Sequence, residues 1–294
     1  MFFRTDLAME AREIVGESTE GVRSSSRKEG EITITRMCVE TQAAAQKLGK
    51  PTGTYITLEL PPLTDEYQDT ERRVRAAAAE IAGLLPTSGT VLVAGLGNRN
   101  ITPDDLGPRT ASVVLATRHI TGELARSVGL DGLRPVAVLA PGVLGQTGIE
   151  TGELLHSVVR ELKPAALVVV DALASRRLDR LGCTLQISDS GISPGSGVGN
   201  ARPRINRQTI GVPVISMGVP TVVDAATLAA DLLGTKEEEF EALRRMVAPR
   251  GEAMMVTPRE IDLLIERAAH LTGMAINCAL QPGFSLADLE SLVS

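Results

Sequence analysis

The 294-residue chain has no tryptophan, only four phenylalanines and two tyrosines. Without rows of aromatic rings it has no stacking platform for single-stranded nucleic acid. A formal net charge of −6 also gives it no basic footprint for a duplex. Cysteine is scarce. Cys38, Cys183 and Cys278 are odd in number, far apart and free of any Cys-x-x-Cys spacing or histidine cluster, which argues against a disulfide framework and a zinc knuckle. The first residues, with Arg4 and Asp6, lack the apolar stretch of a signal peptide. Long apolar runs are missing as well: the best, residues 165–170, stops at Asp171 and is too short to span a bilayer. The expectation is a cytoplasmic protein with an aliphatic core, long enough for one large domain, and with neither nucleic acid nor membrane as a partner.

What the chain does have is a strand, turn and helix between Gly89 and Arg109. Residues 90–94 form a short β-branched run of the kind found in parallel strands covered on both faces. Gly95 and Gly97 permit a sharp turn, Asn98 and Asn100 can bond the turning main chain, and Thr102-Pro103-Asp104-Asp105 opens a helix predicted to run to Arg126. The glycines fit only two positions of a dinucleotide fingerprint, and two acidic residues would face a pyrophosphate, so a nicotinamide enzyme is disfavoured. From residue 90 onward strands alternate with helices. Strands are predicted at 135–139, 165–170, 184–188 and 213–217 and a helix at 151–162, the pattern of a doubly wound parallel sheet. Before it, residues 24–30 read as an exposed turn, 31–39 and 53–60 as two strands of an antiparallel accessory element, and 64–85 as an amphipathic helix. Thr221 with Asp224 resembles a capping box, Lys236 to Met255 is a charged connection, and Thr257 is placed to cap the C-terminal helices. The organisation expected is one α/β domain with an accessory region at 7–62, a core sheet at 89–235 and C-terminal helices at 257–294.

Asp104 and Asp105 lie where a strand hands over to a helix, and Asp171 directly follows Val168-Val169-Val170. In an open α/β sheet both positions fall at the carboxyl edge, where ligands bind. Aspartate is also a common cap and turn former, so position alone leaves a structural role open for each. Two carboxylates at one edge can share a proton and act as base and acid around a water, or can bind a divalent metal with Asn98, Gln146 or a histidine; the residues do not choose. The loop at 140–150, which holds Gln146, is long and glycine-rich for its position. The loop at 189–200 can offer a nest of main-chain donors around Ser193 and Gly195, as can the turn at Gly97 and Asn98, and these five residues are the candidate substrate contacts. His119 and His156 read as helix residues, and His270 has no claim on the site. With no Gly-x-Ser-x-Gly elbow and no cysteine beside a histidine, covalent catalysis is weakly supported.

Several stretches carry a family resemblance. Residues 95–108 (Gly-Leu-Gly-Asn-Arg-Asn-Ile-Thr-Pro-Asp-Asp-Leu-Gly-Pro), 141–151, 170–176 and 186–200 resemble the germination protease of endospore-forming bacteria, as do 50–59 and 218–224. The resemblance implies a fold similar to hydrogenase maturation endopeptidases. It also implies a homotetrameric endopeptidase of the spore core, needing no cofactor, that begins the degradation of small acid-soluble spore proteins during germination. The family's aspartic pair falls on Asp104 and Asp171, and Asp105 inherits no role. Residues 4–11 look like the family's self-processing site, with the cut between Asp6 and Leu7; residues 1–6 would then be a pro-segment and 7–294 the peptidase. The alternatives are a metal-dependent endopeptidase of the hydrogenase maturation type and a binding module for spore proteins that does not cut them.

Overall fold

The β-branched runs become the middle of one sheet. A computed structural model of the chain describes residues 5–16, 19–65, 70–120, 126, 132–200, 202–234, 239–247 and 254–293. Among these residues the strands are β1 Val22–Glu29, β2 Ile32–Val39, β3 Gly53–Glu59, β4 Val91–Gly95, β5 Val136–Leu139, β6 Ala166–Ser175, β7 Thr184–Ser188, β8 Val214–Asp224 and β9 Met255–Val256. They lie in the order β1-β2-β3-β7-β8-β6-β4-β5, with β9 on β8. The run β8-β6-β4-β5 is parallel, and every other pairing is antiparallel. The helices are α1 Ala8–Val15, α2 Gln42–Leu48, α3 Thr70–Leu84, α4 Leu106–Val113, α5 Leu144–Thr147, α6 Thr151–Leu162, α7 Arg207–Ile210, α8 Ala225–Leu233, α9 Phe240–Val247, α10 Ile261–Leu280 and α11 Leu286–Val293.

Alternation along the central strands builds a layer on each face. Val91, Val93, Val168 and Val170 pack with Val74 and Ile81 of α3 and with Leu264 and Met274 of α10, while Leu92, Ala94, Leu167 and Val169 pack with Leu155 and Val159 of α6. Each such side chain contributes roughly 1.5–3 kcal/mol when fully buried, and two apolar faces explain why these strands read as unbroken hydrophobic runs. α10 is also latched by two buried amides. Asn277 accepts from the Leu115 N–H at 2.9 Å and donates to the Val113 carbonyl at 3.0 Å. Gln281 accepts from the Arg134 N–H at 2.8 Å and donates to the Arg134 carbonyl at 2.9 Å.

The structure corrects several boundaries. β2 and β3 pair with each other as expected, but β3 also bonds to β7, so the N-terminal strands extend the main sheet. Residues 24–30, expected as a turn, lie mostly in β1, an edge strand whose serines and charges face solvent. α4 ends at Val113 instead of Arg126, its last carbonyl taken by Asn277. α3 starts at Thr70, and residues 66–69 lie outside the described part. β8 runs through Thr221 to Asp224, and Asp224 itself caps α8 by accepting from the Thr227 N–H at 2.9 Å. Thr257 caps nothing: its hydroxyl donates to the Thr221 carbonyl at 2.8 Å and α10 begins at Ile261. Of the charged connection at 236–255, residues 239–247 hold α9, while 236–238 and 248–253 lie outside the described part. Among the described residues no helix is long and apolar enough to cross a membrane.

Candidate active site

β6 runs on past residue 170, so Asp171 is a strand residue and not, as expected, a residue of the loop after it. It stands in register with Gly218 of β8, where a Cβ would come within 2.1 Å of the Asp171 carbonyl oxygen. The Asp171 side chain is almost fully enclosed and accepts from the Ala172 N–H at 3.0 Å. Burial pushes its carboxyl well above the usual carboxylate range, and the charges of Asp104 and Asp6 push the same way.

Asp104 closes a single tight turn, Thr102–Asp104, ahead of α4. Its carboxylate folds back to accept from the Asn98 N–H at 2.8 Å. Burial raises this carboxyl too, Asp105 adds to the effect, and the Asn98 hydrogen bond opposes it. The turn depends on Gly97, at φ +121°, where a Cβ would stand 2.0 Å from the Asp104 carbonyl oxygen. Asn98 in turn accepts from Gln146 at 2.7 Å, so Gln146 and Asn98 support Asp104 in one hydrogen-bonded chain. Asp105 points elsewhere, paired with Arg109 at 2.7 Å. Both carboxyls are thus raised chiefly by burial, and Asp171 is the more enclosed of the two. Among the described residues no group of three or more His, Cys, Asp or Glu is arranged to hold a metal ion. His119 sits in an exposed turn beyond α4, not in a helix, and His156 is exposed on α6.

The N-terminal segment lies against the far end of β6. The Asp6 N–H donates to the Ala174 carbonyl at 2.9 Å, and the Asp6 carboxylate accepts from the Ala174 N–H at 2.9 Å and from the Ser196 hydroxyl at 2.8 Å. The Asp6 carbonyl accepts from Lys50 Nζ at 2.9 Å and from Gln186 Nε2 at 3.1 Å, while Gln186 Oε1 accepts from the Ala8 N–H at 2.7 Å. Leu7 is fully buried, and its N–H donates to the Thr5 hydroxyl at 3.0 Å. Three residues beyond Leu7, the buried Glu10 carboxylate accepts from the Arg176 and Arg177 N–H groups at 2.7 and 2.9 Å and from Thr5. Burial raises that carboxyl, against its hydrogen bonds and Arg180. A cavity of about 310 Å³ opens beside Asp6, lined by Lys50, Tyr55, Ser193 and Arg204 among others.

The predicted contacts thus divide. Ser193 lines the cavity at Asp6, whereas Gly195 acts one step removed: in the left-handed conformation it starts the turn Ser196–Val198 that carries Ser196 to Asp6. Gly97, Asn98 and Gln146 serve Asp104. Sequence reasoning missed Lys50, Ala174, Gln186, Ser196 and Gly197. A Cβ on Gly197 would lie 2.2 Å from the Asp6 carboxylate, so only glycine admits the segment there. Lys50 and Gln186 open two of the stretches that carry the family resemblance, and that was their one signal.

The profile of the germination protease family matches residues 4–235. Curated relatives span nearly the whole chain. The germination protease of Caldanaerobacter subterraneus subsp. tengcongensis is 44% identical over 99% of this chain and 98% of its own, and that of Clostridium acetobutylicum 40% over 99% of each. A Geobacillus germination protease is 35% identical over 94% of this chain and 93% of its own. A NiFe hydrogenase maturation protease from Thermococcus kodakarensis aligns over 67% of this chain and 98% of its own with a TM-score of 0.36 and 16% identity. Fold and relatives together define a peptidase with an α/β sheet. The chain belongs to the germination protease family.

Proposed function

We propose that the chain is a self-processing zymogen that cuts its own Asp6–Leu7 bond and then opens small acid-soluble spore proteins in the spore core, using Asp104 and Asp171 to activate water. The observation that carries this reading is the docked segment: Asp6 pairs edge to edge with Ala174, three residues beyond Asp171 on the same strand. A peptide bonded to the end of the strand that carries the buried Asp171, near the half-buried Asp104, is held as a substrate is held. In this reading Asp104 takes a proton from water and Asp171 returns one to the leaving nitrogen, and the homotetramer implied by the resemblance is the working form.

The test is to incubate the purified full chain with a small acid-soluble spore protein at mildly acid and neutral pH and follow both by intact mass. Loss of residues 1–6 together with a few discrete substrate cuts is the expected result. A chain and a substrate that both stay intact refute the reading, and a substrate that binds without being cut favours a binding module.

A further inference from the structure

We propose that Lys50 and Gln186 are catalytic donors that polarise the carbonyl of the bond being cut and hold the negative oxygen formed when water adds to it. The inference rests on the self-processing reading above. Two N–H donors converge on one carbonyl oxygen, that of Asp6, at 2.9 Å from Lys50 Nζ and 3.1 Å from Gln186 Nε2. The carbon of that carbonyl is bonded to the Leu7 nitrogen. Such convergence is the geometry of an oxyanion hole, where donors act on the oxygen that gains charge.

Each donor is set by its element. Gln186 stands within β7, enclosed on both faces, and its other amide atom accepts from the Ala8 N–H at 2.7 Å, so the side chain bridges the Asp6–Leu7 bond from one side to the other. Lys50 follows the left-handed Gly49 that ends α2, and its ammonium also donates to the Thr5 carbonyl at 3.0 Å. Both of these hydrogen bonds end on main-chain oxygens of the segment, not on a carboxylate. Burial and Arg204 lower the Lys50 pKa while Asp6 and Glu10 hold it up, and the Tyr55 hydroxyl, pushed up to about 12, lines the same cavity. A partly desolvated ammonium is the stronger donor to a developing oxyanion.

The step balances. The water oxygen bonds to the Asp6 carbonyl carbon, its proton goes to the Asp104 carboxylate, and the carbonyl electron pair moves onto the oxygen between Lys50 and Gln186. As the pair returns, the bond to Leu7 nitrogen breaks and the Asp171 carboxyl gives that nitrogen its proton. The products are an Asp6 carboxyl group and a Leu7 amine.

The experiment follows self-cleavage of the full chain by intact mass beside Lys50→Met, Lys50→Arg and Gln186→Glu. Amide hydrogen exchange over residues 5–12 reports in parallel whether the segment stays docked. Loss of one oxyanion donor costs about 10²–10³ in rate. Lys50→Met is expected to slow by that factor with the protection of residues 5–12 retained, and Lys50→Arg to recover part of the rate. Gln186→Glu keeps the acceptor for Ala8 and loses the donor, so it too slows with the segment docked. Lys50→Met cutting at the rate of the unaltered chain overturns the proposal. So does a slowing that only matches lost protection, since Lys50 would then be a docking residue. If Lys50→Met does not fold, Lys50→Arg and Gln186→Glu decide the same question. An unaltered chain that stays intact at every pH overturns the self-processing reading, and this inference with it.

Discussion

Replacing Gly107 by alanine tests how tightly the site depends on the seating of α4. A Cβ at Gly107 would stand 2.1 Å from the Leu96 carbonyl oxygen, 2.5 Å from the Leu96 nitrogen and 2.5 Å from the Val170 carbonyl oxygen. All three are main-chain atoms, two just past the end of β4 and one in the middle of β6, and none can rotate away. Ordinary contact requires α4 to lift by roughly 1 Å, and overpacking of this kind costs about 1–3 kcal/mol. At about 2–4 °C per kcal/mol for a chain of this size, the melting temperature should fall by roughly 2–12 °C. Gly107 stands three residues after Asp104, so the lift also moves Asp104 against Asp171, and a misplacement near 1 Å costs about 10²-fold in rate. Gly83 in α3 is the control. It has no atom within 4 Å of a built Cβ, so Gly83→Ala should gain about 0.5–1 kcal/mol and melt a few degrees higher with unchanged cleavage. Calorimetry with a self-cleavage time course reads both variants. A Gly107→Ala chain that melts and cuts like the unaltered one would refute the close seating of α4 on the strand ends.

Asp171→Asn should abolish cleavage yet stabilise the fold, and the sign follows from linkage. The folded chain holds the Asp171 proton well above the ordinary 3.8, so wild-type stability falls as pH rises from that value through the folded pKa, and the asparagine variant escapes the loss. Melts at about pH 4 and pH 8 should show the variant's advantage growing with pH; a constant difference would deny the burial of a protonated carboxyl. Gly197→Ala should expel Asp6 from β6 and slow self-cleavage at least 10-fold with little change in melting, read by intact mass and calorimetry. Asn277→Ala leaves the Val113 carbonyl and the Leu115 N–H without their partner and should cost about 2–4 kcal/mol, read as a lower denaturant midpoint.

The central strands were legible because both faces of β4 and β6 are apolar, and a short β-branched run has few other uses. α6 was legible to the residue, since Thr151 to Leu162 buries one stripe and leaves the rest exposed. β1 was not. Val22-Arg23-Ser24-Ser25-Ser26-Arg27 has no alternation, and it is a strand only because β2 offers it an edge to pair with. The end of α4 was hidden for a like reason, because Asn277, 164 residues beyond Val113, takes the carbonyl that a continuing helix would have used. The sequence singled out Asp104 beyond β4, and Asp171 from an expected strand end that β6 in fact runs past. It did not single out Ala174, Lys50 and Gln186: alanine, lysine and glutamine announce no chemistry until the fold sets them around one peptide bond.

The extra length of β6 ties these elements together. Had the strand ended at Val170, Asp171 would have belonged to a mobile turn and nothing would fix its distance to a bound peptide. Because β6 runs on to Ser175 against β8, it presents the Ala174 N–H and carbonyl as a short free edge, and Asp6 takes both. The ladder to β8 shifts register between Leu173 and Ala174, so a bulge lies between Asp171 and the edge that binds Asp6. The docked Asp6 and the buried Asp171 are both held against β6, and the Asp6 carbonyl meets donors from β7 and the end of α2. Asp6 is held at the strand edge, and Glu10, beyond the Asp6–Leu7 bond, anchors the chain to the Arg176 and Arg177 N–H groups. In the proposed self-processing, a cut at Asp6–Leu7 would separate the edge-bound residues from the anchored ones. In that reading, departure of Asp6 would leave Lys50, Gln186 and Ala174 without their bonds to it.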